Sequence, residues 1–597
     1  MAKRGPGGGS FERPTQKPTV VLRRIWRYLA HYRWLLLGAV ALSIGGNLLA
    51  LVGPKLSGHA IDAMRLGKGG VDFDAVLYYA GWMAAFYAVS SALSYLLAWL
   101  MLRLSRGVVY RMRKDVFERL TALPVKFFDT HQTGEVISTL SYDIDTINAS
   151  LSNDLLPMLS SVITVFGSLW MMLSIEPSLV LVFAVTIPVS LLFTRYRSRR
   201  VRPLYRARSE KLGQLNGYVE EMTDGQKTIK AYGRERVYCE RFDERNREAV
   251  EANYRADHFA CITGPSVNFL NNLSLALISV FGALQYMAGG ITLGNISSFV
   301  LYSRKFSGPI NEFANIWSEL QSALAAAERV FRLLDEPPEA ADAPGAQPLE
   351  SVRGDVALRH VDFGYDSDRL VLQDFDLHAL RGKVVAIVGP TGSGKTTVIN
   401  LLMRFYDVNR GSVTVDGQNI YGLTRDSLRR SYAMVLQDSW LFHGTIYENL
   451  TYGREDATRE QVEAAARAAH IHRFIISLPE GYDTVLSDNG VNISKGQRQL
   501  LTIVRAMLMD TPMLILDEAT SNVDTQTERQ IQRAMLKLME GRTCFVIAHR
   551  LSTIRGADLI AVVREGRVAE QGTHEALMAR KGYYYALYSA QFDRAAS

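Results

Sequence analysis

The 597-residue sequence contains only three cysteines, and their placement excludes two kinds of structural site. Cys239, Cys261 and Cys544 lie far apart, and none belongs to a spacing typical of metal ligands. Zinc sites and disulfide frameworks require such spacings. We therefore expect neither, and predict that the three side chains are buried as small apolar residues.

The start of the chain does not predict a cleavable signal peptide. Residues 1–10 are basic and rich in glycine, and the first long apolar segment begins only near Trp34. That segment is too long for a signal peptide and is not followed by a small-residue cleavage site. We expect residues 1–18 to be a disordered basic tail.

The net charge of +7 does not form a single basic stripe. Lysine and arginine flank apolar segments instead, which argues against a nucleic-acid partner. An excess of these residues is typical of the cytoplasmic side of membrane proteins. The composition therefore favours the lipid bilayer as the partner of this chain.

Long segments without a charged residue occupy the first half of the sequence. About 20 apolar residues in a helix cross a bilayer core. A weaker sixth segment, at about residues 291–320, is interrupted by Arg304 and Lys305, which either face a translocation pathway or lie near the inner interface. We predict six spans within residues 19–333, after an interfacial amphipathic helix at Val20–Leu29. The five uncharged segments are Trp34–Pro54, Val76–Leu102, Leu155–Ile175, Pro177–Thr194 and Phe259–Gly289.

The connections between the spans predict their orientation. Spans three and four meet at Glu176, and spans five and six meet at residues 288–290, so both pairs form tight hairpins without lysine or arginine. The long connections, residues 103–154 and 195–258, are rich in both. The positive-inside rule places these connections and both termini in the cytoplasm. We therefore predict a multi-pass protein of the cytoplasmic membrane whose helices continue beyond the bilayer.

A composition change marks the start of the second domain. Residues 334–350 are rich in proline, alanine and acidic residues and lack apolar periodicity, which is typical of a linker. Within residues 351–597, a strand predicted at Lys383–Val388 is followed by Gly-Pro-Thr-Gly-Ser-Gly-Lys-Thr and by a helix predicted at Val398–Met403. This order of strand, glycine-rich loop and helix is that of a P-loop.

The P-loop residues predict a nucleotide site. Backbone N–H groups of the glycine-rich loop close around phosphate oxygens, and the helix N-terminus adds a favourable dipole. Lys395 is expected to neutralise the β- and γ-phosphates, and Thr396 to hold Mg²⁺. The candidate nucleotide-binding residues of the loop are Gly389, Thr391, Gly392, Ser393, Gly394, Lys395, Thr396 and Thr397.

A second apolar segment ends in two adjacent carboxylates. Residues 513–516 are apolar and predict a buried strand, and Asp517 and Glu518 follow directly. Asp517 is placed to hold Mg²⁺, and Glu518 to orient or deprotonate the attacking water. The alternative is an ordinary acidic pair at a strand end.

The segment Asn492–Gln499 (Asn-Ile-Ser-Lys-Gly-Gln-Arg-Gln) resembles the signature of ATP-binding-cassette (ABC) proteins. With the P-loop and the spans, the whole chain resembles a half-transporter of the multidrug and lipid exporter type. The resemblance implies a six-span helical transmembrane domain fused to an α/β P-loop domain with a RecA-like core and a helical subdomain. It also implies ATP and Mg²⁺ as cofactors, and ATP-driven export of amphipathic small molecules, drugs or lipids, by alternating access.

The resemblance also implies residue roles. Tyr365 resembles the aromatic ring that stacks on adenine, and Gln437 the glutamine that senses Mg²⁺. Asp524 lies in a segment that resembles the loop crossing to the opposite subunit, and His549 resembles the γ-phosphate switch histidine. The segment around Phe128–Asp129 resembles an intracellular loop of the family. The implied catalytic residues are Glu518, His549 and Gln437; the metal ligands are Thr396, Gln437 and Asp517; and the signature residues that serve the partner's ATP are Ser494, Gly496 and Gln497.

Three departures from the family pattern favour a heterodimer with a second, different half-transporter. Lys495 stands where the signature usually has glycine, Asp488 where a glutamate is usual, and residues 521–524 read Ser-Asn-Val-Asp. Since Glu518 and His549 are present, this half would carry the competent site. A homodimer, a peptide or siderophore transporter, and an ATP-gated channel or regulatory protein are the alternatives.

Overall fold

The computed structural model describes residues 17–64, 70–366, 369–437, 439–486, 493–517, 525–547 and 554–592. The chain divides into two compact units. The first comprises Met1–Ala122 and Gln132–Glu336, and the second comprises Leu123–His131 and Pro337–Ser597. The short segment Leu123–His131 thus packs within the second unit, although it falls inside the membrane domain by sequence.

The first unit consists of helices joined by short connections. Among the described residues, five helical segments are long and apolar enough to cross a membrane: Arg33–Asp62, Phe73–Ala122, Thr133–Ile175, Pro177–Asp224 and Glu235–Met287. They contain the five uncharged segments of the sequence, except for the last two residues of Phe259–Gly289. The helices are α1 (Pro18–Ala30), α2 (Arg33–Asp62), α3 (Phe73–Ala122), α5 (Thr133–Ser138), α6 (Ile144–Asn153), α7 (Leu155–Ile175), α8 (Pro177–Asp224), α9 (Gln226–Ala231), α10 (Glu235–Cys261), α11 (Thr263–Met287) and α12 (Leu293–Asp335), with a π-helical turn at Thr139–Asp143.

Helix lengths and turns agree with the predicted membrane arrangement. Helix α3 has 50 residues and α8 has 48, so each is over about 70 Å long at about 1.5 Å per residue. Glu176 alone separates α7 from α8, and its carboxylate accepts from the N–H of Ser178 at 3.3 Å. Gly289, with φ +75°, turns the chain between α11 and α12. The predicted hairpins and helical extensions are therefore confirmed.

The sixth predicted span lies in α12, which is one continuous helix, and Lys305 has a specific partner there. Pro54 interrupts α2 and has no N–H, so the carbonyl of Ala50 lacks its usual helical donor. Lys305 Nζ donates to that carbonyl at 3.0 Å, and the Tyr302 hydroxyl donates to the carbonyl of Leu51 at 2.6 Å. The ammonium takes the place of the missing amide, an arrangement that neither alternative from the sequence included.

Two of the three cysteines contradict the burial that we predicted. Cys239 and Cys261 are exposed, and only Cys544 is buried. The first two lie on α10, whose length carries many residues beyond any compact core. Cys544 lies on a central strand of the second unit, where a thiol packs as a small apolar group.

The described residues of the second unit form three β-sheets. A six-stranded sheet has the order β12-β11-β3-β10-β9-β6, a four-stranded antiparallel sheet has the order β2-β1-β4-β5, and β7 pairs with β8. The strands are β1 (Val356–Phe363), β2 (Leu372–Ala379), β3 (Val384–Val388), β4 (Arg410–Val415), β5 (Gln418–Asn419), β6 (Tyr432–Val435), β7 (Gly444–Thr445), β8 (Val485–Leu486), β9 (Met513–Asp517), β10 (Thr543–Ile547), β11 (Leu559–Arg564) and β12 (Arg567–Gly572).

Helices surround these sheets and cover their apolar strands. The central strands β3, β9 and β10 are almost fully buried, as their continuous apolar sequences predict for a parallel sheet covered on both faces. The helices of the unit are α4 (Val125–Thr130), α13 (Lys395–Leu402), α14 (Arg425–Arg430), α15 (Ile446–Thr451), α16 (Arg459–Ala468), α17 (His472–Ser477), α18 (Lys495–Leu508), α19 (Thr525–Met539), α20 (His574–Arg580) and α21 (Tyr583–Phe592).

The register of the parallel strands brings their carboxyl ends to one edge. Ile547 of β10 is level with Ile387 of β3 on one side and with Asp517 of β9 on the other. Chain segments that leave β3, β10 and β9 therefore start from the same edge. In open α/β sheets, ligands bind outside the carboxyl ends of the strands.

The linker is held to the second unit by ion pairs. Glu339 pairs with Arg429, whose guanidinium lowers the pKa of the Glu339 carboxyl. Asp342 accepts from Arg425 at 2.9 Å, and Arg425 is buried. A buried guanidinium requires such partners, so residues 337–342 form an ordered part of this unit.

Candidate ATP-binding site

Two glycines of the P-loop are required by close packing. A Cβ on Gly389 would lie 2.2 Å from the carbonyl oxygen of Val563, and a Cβ on Gly394 would lie 2.7 Å from Leu372 Cδ2. Gly394 also has φ +106°, a conformation that glycine adopts without a steric penalty. The loop therefore passes tightly between β3 and α13, with its backbone turned toward the sheet edge.

Lys395 is the first residue of α13, and its side chain folds back over the loop. It is buried, and Nζ donates to the carbonyls of Gly389 at 2.9 Å and Pro390 at 2.8 Å. Burial lowers the pKa of the ammonium, and the nearby Asp517 carboxylate opposes that shift. Both acceptors are neutral carbonyls, so a charged phosphate oxygen is a stronger partner for this ammonium.

The loop offers further polar groups that suit a phosphate. Ser393 Oγ is buried and has no hydrogen-bond partner among the described residues. The N-cap residue of α13 is Gly394, so no side chain there accepts from the first N–H groups of the helix. A buried hydroxyl and uncapped amides around one loop fit an anionic ligand.

The two threonines that follow Lys395 lie in different environments. Thr396 is exposed, whereas Thr397 is buried and its hydroxyl lies 3.2 Å from the hydroxyl of Tyr365. Thr396 and the Asp517 carboxylate are oxygen ligands of the type that Mg²⁺ prefers. The residues present therefore fit a magnesium ion bound with phosphate.

Tyr365 stands beside the loop with part of its ring accessible. The residue is 37% exposed, and its hydroxyl also accepts from Asn400 Nδ2 at 3.1 Å. Its ring meets those of Phe363 and Tyr406 edge to face, each with a centroid distance of 5.0 Å. An aromatic ring held in this way, next to a P-loop, can stack on a base.

The structure brings some of the remaining candidates to the same sheet edge. Asp517 ends β9, and Gln437 follows β6, which pairs in parallel with β9 and is level with it at Val435 and Leu516. Gln437 is exposed. Glu518, Asp524 and His549 lie outside the described residues, as does Asp488, so their roles remain predictions.

The signature residues form the start of α18. Ser494 is its N-cap: Ser494 Oγ accepts from the N–H of Gln497 at 3.2 Å, and Gln497 Oε1 accepts from the N–H of Ser494 at 2.9 Å. Gly496 is buried, and Lys495 is exposed at the first helical position. This reciprocal capping box leaves the hydroxyl hydrogen of Ser494 available to a further acceptor.

Two families match the chain in the order that this geometry predicts. One, described as the ABC transporter transmembrane region, matches residues 36–310; the other, described as ABC transporter, matches residues 372–521. The uncharacterized ABC transporter ATP-binding protein YfiC of Bacillus subtilis is 43% identical over 98% of this chain and 97% of its own length. This chain belongs to the ABC transporter family.

Other similar proteins extend over the same length. The fatty acid ABC transporter ATP-binding/permease protein of Mycobacterium bovis is 40% identical over 94% of this chain and 95% of its own. A solved structure of a bacterial Atm1-family ABC exporter with ATP bound superimposes with a TM-score of 0.76 and 31% identity, over 94% of this chain and 99% of that one. The chain is therefore an ABC exporter half-transporter of the cytoplasmic membrane, and it couples ATP hydrolysis to export as part of a dimer.

Sequence reasoning did not identify two groups that hold Tyr365. Asn400, one turn into α13 beyond Thr397, donates to the Tyr365 hydroxyl, and Tyr406 packs against its ring. Neither belongs to a motif that we used. The sequence signal for Tyr406 was an aromatic residue shortly after the P-loop helix.

Proposed function

We propose that this exporter moves amphipathic lipids with an acyl chain, such as fatty acids, out of the cytoplasmic leaflet. The observation that carries the substrate class is the 40% identity, over 94% of the chain, to a relative named as a fatty acid transporter. The long apolar helices of the first unit support it, because they are long enough to cross the bilayer in which such lipids reside. The charge of Lys305 is directed to the α2 backbone, which agrees with a weakly charged pathway.

Hydrolysis would use the residues around the sheet edge. Lys395 would neutralise the β- and γ-phosphates, and Thr396, Asp517 and Gln437 would hold Mg²⁺ directly or through water. Glu518 would act as the base toward the attacking water, and His549 would contact the γ-phosphate. The donor set supports the roles of Lys395 and Thr396: a buried ammonium, an uncapped helix start and an exposed hydroxyl surround one loop.

The substrate assignment is tested in proteoliposomes that contain the complete transporter. We expect oleate to raise ATPase activity several-fold and to be transported when ATP is supplied on the nucleotide-domain side. A water-soluble peptide and a hydrophilic siderophore are the competing substrates. Stimulation by either of these, with no response to oleate or to a phospholipid, would replace the lipid proposal. ATP-dependent ion current without oleate movement would favour the channel alternative.

The base is tested by Glu518→Gln. This variant should bind ATP and accumulate in a closed, nucleotide-bound dimer, while turnover falls to near zero because no carboxylate activates water. Normal hydrolysis in this variant would remove Glu518 from the mechanism. Oleate binding to the variant checks that the membrane unit is intact.

We further propose that the partner is a second, different half-transporter. Lys495, Asp488 and the segment Ser521–Asp524 depart from the family pattern in the direction seen when the two sites of a dimer differ. Native mass spectrometry of the complex purified from its own membrane tests this. A partner of different mass supports the heterodimer, and a mass of twice 66.6 kDa with one chain contradicts it.

A further inference from the structure

Asp129, in the segment Leu123–His131, contacts a part of the second unit that is distant in sequence. The hydroxyl of Tyr406 donates to Asp129 Oδ2 at 2.5 Å, across 277 residues of sequence. Burial raises the pKa of the Tyr406 hydroxyl, and the hydrogen bond to Asp129 raises it further. The phenol therefore stays protonated and donates to a carboxylate, which is a charge-assisted hydrogen bond.

The ring of Tyr406 packs against the ring of Tyr365. The two rings lie edge to face at an interplanar angle of 88°, and Phe363 meets Tyr406 at 5.7 Å between centroids. At its other end, the Tyr365 hydroxyl is bonded to Thr397 and Asn400 of the P-loop helix. Tyr365 is thus positioned by α13 through its hydroxyl and by Tyr406 through its ring.

A cavity of about 420 Å³ adjoins this aromatic group on the side of the segment. Pro124, Lys126, Tyr365, Tyr406 and Asn409 are among the residues that line it. Because open space flanks Tyr406 there, close packing does not fix its ring from that side. The hydrogen bond to Asp129 is the directional contact that does so.

We propose that Tyr406 is a positioning residue for Tyr365, and that Asp129 sets its position. The inference rests on the proposed role of Tyr365 as the ring that contacts adenine. Displacement of Asp129 would release Tyr406, loosen the ring of Tyr365 and weaken the binding of the base, while the phosphate cradle is unaffected. Coupling of this kind is reciprocal, so bound ATP would also hold the segment Leu123–His131 in place.

Two probes separate the base from the phosphates in the complete transporter. A non-hydrolysable ATP analogue contacts both parts of the site, whereas inorganic tripolyphosphate contacts only the cradle. In Tyr406→Phe the ring remains and the hydroxyl is lost, so we expect the Kd of the analogue to rise by about three- to tenfold, as partial loss of one charge-assisted hydrogen bond allows. The Kd of tripolyphosphate should stay unchanged. Asp129→Asn should give the same split, and the double variant should be no weaker than either single one.

Tyr421→Phe is the matched control. The Tyr421 hydroxyl accepts from the N–H of Val408 at 2.7 Å in the same unit. Its ring packs against the Arg404 guanidinium, whereas the ring of Tyr406 packs against Tyr365. We expect it to change the affinity of neither probe selectively. An equal loss of both probes in Tyr406→Phe, or no loss, would overturn the positioning role.

Tyr365→Ala distinguishes the positioning role of Tyr406 from the adenine role of Tyr365. If it weakens the analogue selectively while Tyr406→Phe does not, the positioning role alone fails and Tyr365 remains the base contact. If Tyr365→Ala leaves the ratio of the two Kd values unchanged, the adenine role fails, and the inference about Tyr406 fails with it.

Discussion

Two helices of the second unit begin with a lysine, but the two lysines differ in burial and in the turn that precedes them. Helix α13 begins at Lys395 after a left-handed glycine without a side-chain cap, and α18 begins at Lys495 after Ser494 with a complete capping box. Lys395 is buried, and Lys495 is exposed. The residue type and its helix position therefore do not determine the role; the preceding turn does.

The difference has a physical origin. A cation at a helix N-terminus is unfavourable by about 0.3–1 kcal/mol, because the helix dipole is positive there. At Lys395 the tight loop presents two carbonyls that compensate the ammonium. At Lys495 the charge extends into solvent, and the capping box satisfies the N–H groups of Gln497 and Ser494. The first arrangement leaves its helix amides uncapped for an anionic ligand, whereas the second carries its own side-chain cap.

The largest effect is expected where the comparison is sharpest, at Lys395. Lys395→Ala should weaken ATP binding by about a hundredfold or more, since a buried charge-assisted contact with phosphate is lost. Without nucleotide, the free energy of unfolding should not fall. The variant also removes the cost of burying the ammonium, which is the cost that lowers its pKa. Calorimetric titration and thermal unfolding measure the two quantities. Unchanged affinity would contradict the phosphate role.

The next effect separates the two threonines of α13. Thr396→Val should weaken binding of Mg²⁺-ATP by about tenfold and leave Mg²⁺-free ATP unaffected, because only a metal ligand is removed. Thr397→Val is the matched control: it loses the contact with Tyr365 and should show no dependence on Mg²⁺. Titrations with and without Mg²⁺ measure both variants. Equal losses under the two conditions would mean that Thr396 does not bind the metal.

A smaller effect contrasts the serines of the two helix starts. Ser494→Ala removes a cap and should lower the free energy of unfolding by about 1 kcal/mol. Ser393→Ala removes a buried hydroxyl that has no partner in the described structure, so stability should stay the same or rise. Chemical denaturation of nucleotide-free protein compares them. The comparison breaks down if the two variants lose equal stability.

The smallest effect is expected at Lys495. Lys495→Ala should change the free energy of unfolding by less than about 0.5 kcal/mol in either direction, as for an exposed residue. The affinity for ATP should stay within about twofold of the parent, in contrast to Lys395→Ala. Parallel titrations of the two alanine variants test this. A large loss of affinity at Lys495 would show that its charge contributes to a nucleotide site.

The sequence was informative where a motif dictates backbone geometry. The strand before the P-loop was predicted at Lys383–Val388 and is observed at Val384–Val388. The helix that follows starts at Lys395 instead of the predicted Val398, because glycines that permit a turn do not fix the residue at which helical geometry begins. Boundaries set by capping or loop closure are therefore the weaker predictions.

Long-range packing was beyond sequence reasoning. The exposure of Cys239 and Cys261 depends on how far α10 extends past its neighbours, which hydropathy does not encode. The contact between Tyr406 and Asp129 joins residues 277 positions apart, each in an unremarkable local sequence. The bond from Lys305 to Ala50 likewise arises only once a proline in one helix meets a lysine in another.

That last bond has a consequence for the order in which the protein is made. Ala50 leaves the ribosome 255 residues before Lys305, and its carbonyl remains without a helical donor until that lysine has been made. A lysine at the centre of a membrane helix costs about 2.5–3.5 kcal/mol when it enters lipid. The hydrogen bond to Ala50 offsets part of this cost, so we expect α12 to insert more favourably beside α2. The last helix of the unit thus depends on one of the first. We expect a truncated chain without α2 to insert α12 less efficiently.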